Sequence, residues 1–238
     1  MNPVLQLRDV TRRYDDGAGE VAALSSVSLS VAAGELLAVM GPSGSGKSTL
    51  LQLAGGLDRP SDGRVLIDGE DLAGLSARAL AALRRRRVGY VFQRLNLLAS
   101  LTALENVMLP LELDGIGSRV ARAAAEGALA DAGFNGSTKR YPDDLSGGEQ
   151  QRVAIARGVV GERALLLADE PTGALDTVAG EAILELLSAR RDAGAAVVLV
   201  THEPRFAGWA DRVLFLRDGQ IVDEAVAARG AATLASRP

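Results

Sequence analysis

The chain has 238 residues, of which 47% are hydrophobic and 24% charged, enough for one large folded domain or a main domain with a modest subdomain. A net charge of −4 argues against general affinity for nucleic acid, and the lack of cysteine excludes disulfides, thiolate zinc sites and iron–sulfur clusters. The opening MNPVLQLRDV lacks the apolar core of a signal peptide, and no stretch approaches the roughly 18 apolar residues of a membrane span, so a cytoplasmic protein is expected.

In chain order, VLQLRDVTRRY and VAALSSVSLSV alternate in a way that predicts paired antiparallel strands, an N-terminal β lobe at one edge. LLAVM (36–40) is a continuous apolar run, as expected of a strand buried on both faces, and a helix is predicted over 47–55. Arg84 to Arg87 form RRRR, which reads as a solvated helix end. Residues 94–140 are helical and loop-rich, with helices predicted over 102–112 and 118–132. Further helices are predicted over 147–160 and 177–192, alternating with the apolar runs LLLAD (165–169) and AVVLVTH (196–202). The alanine-rich tail after Glu224 reads as a surface helix. Short apolar strands alternating with helices predict an α/β fold with a mostly parallel central sheet.

Gly41-Pro42-Ser43-Gly44-Ser45-Gly46-Lys47-Ser48 matches the phosphate-binding pattern G-x-x-x-x-G-K-[ST] at every fixed position, and Thr49 continues into the helix. Its glycines let successive N–H groups curl around phosphate oxygens. Lys47 supplies a point charge, and the Ser48 hydroxyl is placed for Mg²⁺. This P-loop needs a carboxylate on a neighbouring strand, and LLLADE provides two: Asp169 to hold Mg²⁺ and Glu170 to polarise an attacking water. Adjacent side chains of a strand point to opposite faces, so the two acids take separate roles. His202, the only histidine, ends the strand AVVLVT at the edge where open α/β sheets bind ligands, within reach of the same chemistry.

LSGGEQQR (145–152) predicts a second anion site. Ser146 is an N-cap with Glu149 three residues on, as in a capping box, and Gly147 and Gly148 leave bare amides at the positive end of a helix. Arg152 lies three residues beyond Glu149, which suggests a surface ion pair, and Trp209 reads as packing.

With these motifs assembled, the chain resembles the ATP-binding subunits of ABC (ATP-binding cassette) transporters over about residues 4–224. The resemblance implies one ABC ATPase domain over 1–224, a helical subdomain inserted at about 94–157, and a tail over 225–238. It makes Gln93 of VFQ a Mg²⁺ ligand and the start of a loop contacting an integral-membrane permease. Tyr14 of TRRYDDG becomes the aromatic that stacks on adenine, Asp176 the brace of a loop crossing a dimer interface, and His202 the switch histidine. Ala174 stands where relatives often have asparagine.

It also implies why one chain would carry two anion sites. Two copies pair head to tail, and each ATP lies between the P-loop of one copy and Ser146, Gly147, Gly148 and Glu149 of the other. The implied protein is an ATPase peripheral to the inner face of the cell membrane. There RRRR gains an alternative reading as a contact to lipid or permease. Residues 96–113, 141–157 and 168–176 resemble the lipoprotein-release and macrolide-export branch, whose cell-division relatives suggest a signalling ATPase as the alternative. Soluble ABC ATPases of DNA repair or translation usually carry coiled-coil insertions, zinc cysteines or a second cassette, which this sequence lacks.

Overall fold

The computed structural model describes residues 3–15, 17 and 19–226. Its strands are β1 (Leu5–Asp15), β2 (Glu20–Val31), β3 (Leu36–Met40), β4 (Asp62–Ile67), β5 (Glu70–Asp71), β6 (Val88–Val91), β7 (Leu165–Asp169), β8 (Ala196–Val200), β9 (Arg212–Arg217) and β10 (Gln220–Val226). Its α-helices are α1 (Lys47–Ala54), α2 (Ala77–Arg87), α3 (Ala103–Leu113), α4 (Ser118–Asp131), α5 (Gly147–Val159), α6 (Thr177–Asp192) and the short α7 (Pro204–Ala207).

Two sheets result. A four-stranded antiparallel sheet, in the order β2-β1-β4-β5, forms the N-terminal lobe expected from the alternating segments. A six-stranded sheet runs β10-β9-β3-β8-β7-β6, parallel except where β10 pairs antiparallel to β9. The chain is thus an α/β protein with a mostly parallel central sheet.

The apolar runs are continuous because each central strand feeds two cores. Leu36 and Ala38 of β3, with Leu166, Ala168, Val197 and Leu199, face a core shared with α3 to α6. Leu37 and Val39, with Leu165, Leu167, Val198 and Val200, face a second core shared with α1 and the antiparallel lobe. Period-two alternation therefore persists, but both faces are apolar.

The five helices predicted between residues 47 and 192 all form, with ends within a residue or two of expectation. α2 and β6 are elements the sequence pattern did not resolve. The tail reading needs correction: Ala225 and Val226 continue β10 instead of starting a helix, and residues 227–238 lie outside the described residues. Arg84 to Arg87 do end a helix, α2, but each has a partner within the chain. Arg84 donates to the Gly56 carbonyl at 2.8 Å, Arg85 and Arg86 share Asp114, and Arg87 faces Asp68 at 3.7 Å. The run ties α2 to the end of α1, to the α3–α4 turn and to the β4–β5 turn.

Candidate nucleotide cleft

Three adjacent parallel strands, β3, β8 and β7, end side by side, and the chain leaves each at the same edge of the sheet. From β3 comes the glycine-rich loop 41–46 and then α1. From β7 comes Glu170, and from β8 comes His202. A cleft of about 860 Å³ opens there, lined by Lys47, Ser48, Thr49, Asp169, Glu170 and His202, with Gln93 beyond the end of β6.

The loop is shaped around its glycines. Gly46, the N-cap of α1, has φ 102°, and a Cβ there would lie 2.3 Å from the Ala23 carbonyl oxygen of β2. A Cβ on Gly41 would lie 2.1 Å from the Leu216 carbonyl oxygen. Only glycine allows both the left-handed turn and this packing of the lobe against the loop. With Gly46 as its N-cap, α1 has no side-chain cap, so its first amides keep their capacity for an anion. Lys47 folds over the loop, its Nζ donating to the carbonyls of Gly41 at 2.8 Å and Pro42 at 2.7 Å. The Ser45 hydroxyl beneath the loop is buried with no hydrogen-bond partner. Uncapped amides, a lysine ammonium and a glycine-shaped cradle fit a polyphosphate.

The acids divide as their strand position requires. Asp169, the last residue of β7, is buried. Desolvation raises its pKa above the ordinary aspartate value, opposed chiefly by a hydrogen bond from Ser48. A buried acid next to a hydroxyl and an ammonium fits a divalent cation, which would relieve that desolvation. Glu170 turns out of the strand at φ 50°, its amide donating to the Val200 carbonyl at 3.0 Å. Its carboxylate meets His202 Nδ1 at 2.8 and 2.9 Å. The carboxylate is largely covered, with 16% of the side chain accessible, whereas the imidazole is 68% accessible and so the freer partner. The hydrogen bond to Glu170 raises the His202 pKa.

The predicted second anion site has the expected cap. Ser146 Oγ accepts from the Glu149 amide at 3.3 Å, and Glu149 Oε2 accepts from the Ser146 amide at 2.9 Å, closing the capping box of α5. Ser146 and Gly147 are exposed, and Gly147 borders the cleft. Glu149 does not pair with Arg152, contrary to the helical-spacing expectation. It is gripped by Arg140, from outside the helix, while Arg152 donates to the Ala132 carbonyl at 3.0 Å. The capping bond to Ser146 and then Arg140 hold the Glu149 carboxyl below the usual range.

Besides Ser45 beneath the loop and Ser146, Gly148 and Glu149 at the start of α5, two expected residues, Tyr14 and Asp176, stand outside the cleft lining. Tyr14 lies near the end of β1, partly exposed, its hydroxyl donating to Asp58 at 2.9 Å. Asp176 is the N-cap of α6, accepting from the Ala179 amide at 2.8 Å, while Gly173 and Ala174 of its loop do border the cleft. Two further supports, one of them inside LSGGEQQR, had no role assigned from the motifs. Gln151 lines the cleft and donates to the Pro171 carbonyl at 2.7 Å. Arg157, its pKa lowered by burial, donates to the carbonyls of Leu95 and Asn96, each at 2.6 Å, and so holds the loop after Gln93. The only sequence clue to either is a polar residue at a buried helical position.

The sequence profile of a family described as "ABC transporter" matches residues 24–173. The Macrolide export ATP-binding/permease protein MacB of Hyphomonas neptunium is 46% identical over 93% of this chain but 34% of its own length. The chain thus spans about a third of that relative. The Uncharacterized ABC transporter ATP-binding protein YknY of Bacillus subtilis is 46% identical over 92% of this chain and 95% of its own length. A solved dimeric structure of the bacterial ABC transporter cassette MJ0796 superimposes with a TM-score of 0.91 at 41% identity, covering 94% of this chain and 99% of that one. A second MJ0796 structure, equally similar, is a dimeric post-hydrolysis state with ADP and Pi. The chain belongs to the ABC transporter family, as one of its ATPase cassettes.

Proposed function

We propose that the chain hydrolyses ATP to drive or gate a membrane permease, and that it does so as a head-to-tail pair of copies closing on two ATP molecules. The convergence of Lys47, Ser48, Asp169, Glu170 and His202 in one cleft at the carboxyl edge of β3, β8 and β7 carries this reading. The dimeric MJ0796 structures, one with ADP and Pi, support the pairing and the chemistry.

In this reading Lys47 exchanges the Gly41 and Pro42 carbonyls for phosphate oxygens, which offer its ammonium full negative charge. The loop amides and Thr49 complete the phosphate cradle, and Tyr14 takes the adenine. Ser48, Asp169 and Gln93 would hold Mg²⁺, which supplies neutralisation of phosphate charge when bound. Glu170 accepts a hydrogen bond from the attacking water and aims it in line with the bond to the leaving ADP. His202, exposed on the other side of Glu170, is placed to contact the γ-phosphate. Because the Ser146 hydroxyl accepts from the Glu149 amide, its own proton remains available to the partner copy's γ-phosphate, beside the amides of Gly147 and Gly148. ATP bound from both sides favours the closed pair, and loss of the γ-phosphate reopens it. Asp176 keeps its loop in shape at the interface, and the loop at Gln93 passes the motion to the permease. The protein would thereby sit at the inner face of the membrane.

Glu170→Gln should bind ATP and lose turnover by at least about 100-fold. Near-wild-type turnover would remove Glu170 from the chemistry. Mixtures of Lys47→Ala and Ser146→Arg subunits should restore at most one composite site per pair. Complete independence of the two lesions would contradict shared sites.

A further inference from the structure

Tyr14 is joined to the phosphate-binding part of the molecule by a small polar network. It pairs across the sheet with Val21 of β2, and both side chains are exposed, at 36% and 53%. Two residues along β2, the register slips: Arg12 pairs with Leu24 and Arg13 with Ala22, leaving Ala23 unpaired. That bulge brings the Ala23 carbonyl against Gly46 and makes Ala23 part of the cleft wall. Tyr14 therefore stands where the lobe meets the phosphate loop.

The ring is held on two sides. The Arg12 guanidinium carbon lies 4.4 Å from the ring centroid, covering one face. A single oxygen, Asp58 Oδ2, accepts from Arg12 Nε at 2.8 Å and from the Tyr14 hydroxyl at 2.9 Å. Asp58 follows α1, the helix that begins at Lys47, and its other oxygen accepts from the Arg59 amide at 2.7 Å. The carboxylate thus fixes the ring relative to the helix that starts at the phosphate loop. A tyrosine with its hydroxyl pinned and one face covered has at most one face left for a planar ring, and Tyr14 stays 36% exposed.

We infer that Arg12 and Asp58 are positioning residues that hold Tyr14 as a pre-set stacking platform for the adenine base. This rests on the reading of the cleft as an ATP site. A pinned ring loses less freedom when the base stacks, so the network adds affinity for the base and none for the phosphates. Asp58 and Arg12 act through Tyr14, not on the nucleotide.

Calorimetric titration of the full chain with ATP and, separately, with inorganic tripolyphosphate tests this. Tyr14→Ala should weaken ATP binding roughly 10-fold, within the usual range for base stacking on an aromatic. Asp58→Ala and Arg12→Gln should each weaken it several-fold. Tripolyphosphate affinity should change less than about two-fold in all three variants. Equal losses for both ligands in Asp58→Ala and Arg12→Gln would overturn the inference, since the network would then act through α1. Wild-type ATP affinity in those two variants would also overturn it. If Tyr14→Ala alone binds ATP normally, the platform falls while the phosphate cleft stands. If the wild-type chain binds neither ligand, the ATP reading falls and takes the platform with it. Should Asp58→Ala fail to melt cooperatively, Arg12→Gln carries the same test.

Discussion

Glu170 and His202 meet at the sheet edge, and their contact has a measurable pH signature. Glu170 raises the His202 pKa above the ordinary imidazole value. A raised pKa in the folded state means the contact stabilises fully below the unfolded value near 6.5, and the contribution is lost as pH rises through the raised value. His202 is the only histidine, so its NMR titration needs no assignment. The wild-type ring should titrate above the ordinary value, and Glu170→Gln should lower it; an unchanged midpoint would mean the two groups do not interact in solution. Gly46 offers a steric counterpart. Gly46→Ala combines φ 102° with a Cβ 2.3 Å from a backbone oxygen, so the loop or β2 must move. A loss of about 1–3 kcal/mol in urea denaturation, with loss of triphosphate binding, is expected. Lys47, Ser48, Asp169, Glu170 and His202 are legible one by one, because each directly follows an apolar strand run or a fixed glycine spacing. The partners of Glu149 and Tyr14 are not. Arg140 and Asp58 reach them from other segments, and spacing along one helix or strand says nothing of such neighbours.

α5 combines a complete cap with free amides at its exposed end. Its capping box uses Ser146 and Glu149 while leaving the amides of Gly147 and Gly148 at the exposed end. Ser146→Ala should cost about 1 kcal/mol in chemical denaturation, and Ser146→Thr, which keeps the capping oxygen, should recover most of it. At the other end of the helical region, Asn106 is fully buried in α3. Its amide nitrogen donates to the carbonyls of Leu98, Leu101 and Thr102 at 3.0–3.1 Å, and its oxygen accepts from the Leu98 amide. Asn106→Leu takes the side-chain partner from the Leu98 amide and the Leu101 carbonyl, while the Leu98 and Thr102 carbonyls keep backbone donors, and should cost about 1–3 kcal/mol, read as a lower denaturation midpoint. Capping residues ahead of an apolar stripe make α5 and α3 legible from the chain alone. α2 is hidden because RRRR, in ALAALRRRR, erases the apolar period at its end, and β6 because VGYV is too short to alternate. The strand at Ala225 and Val226 escapes a reading by composition because pairing with β9, not alanine content, decides the local structure.

At the scale of the molecule, the central sheet explains why the site assembles at all. The strand order β3-β8-β7 brings loops from residues 41, 170 and 202 to one edge, although they are far apart in sequence. Alternating apolar and helical runs predict a parallel sheet, but not this order, which long-range packing of two separate cores selects. No helix among the described residues is long and apolar enough to cross a membrane. One copy presents a P-loop cleft and an exposed signature helix end, and in the proposed pair each is completed by a second copy. Light scattering of Glu170→Gln tests that claim most directly. With ATP present the mass should rise to twice the 24.7 kDa of one chain and fall back when Ser146→Arg is added to the same chain. A Glu170→Gln protein that binds ATP yet stays at 24.7 kDa would contradict the shared site.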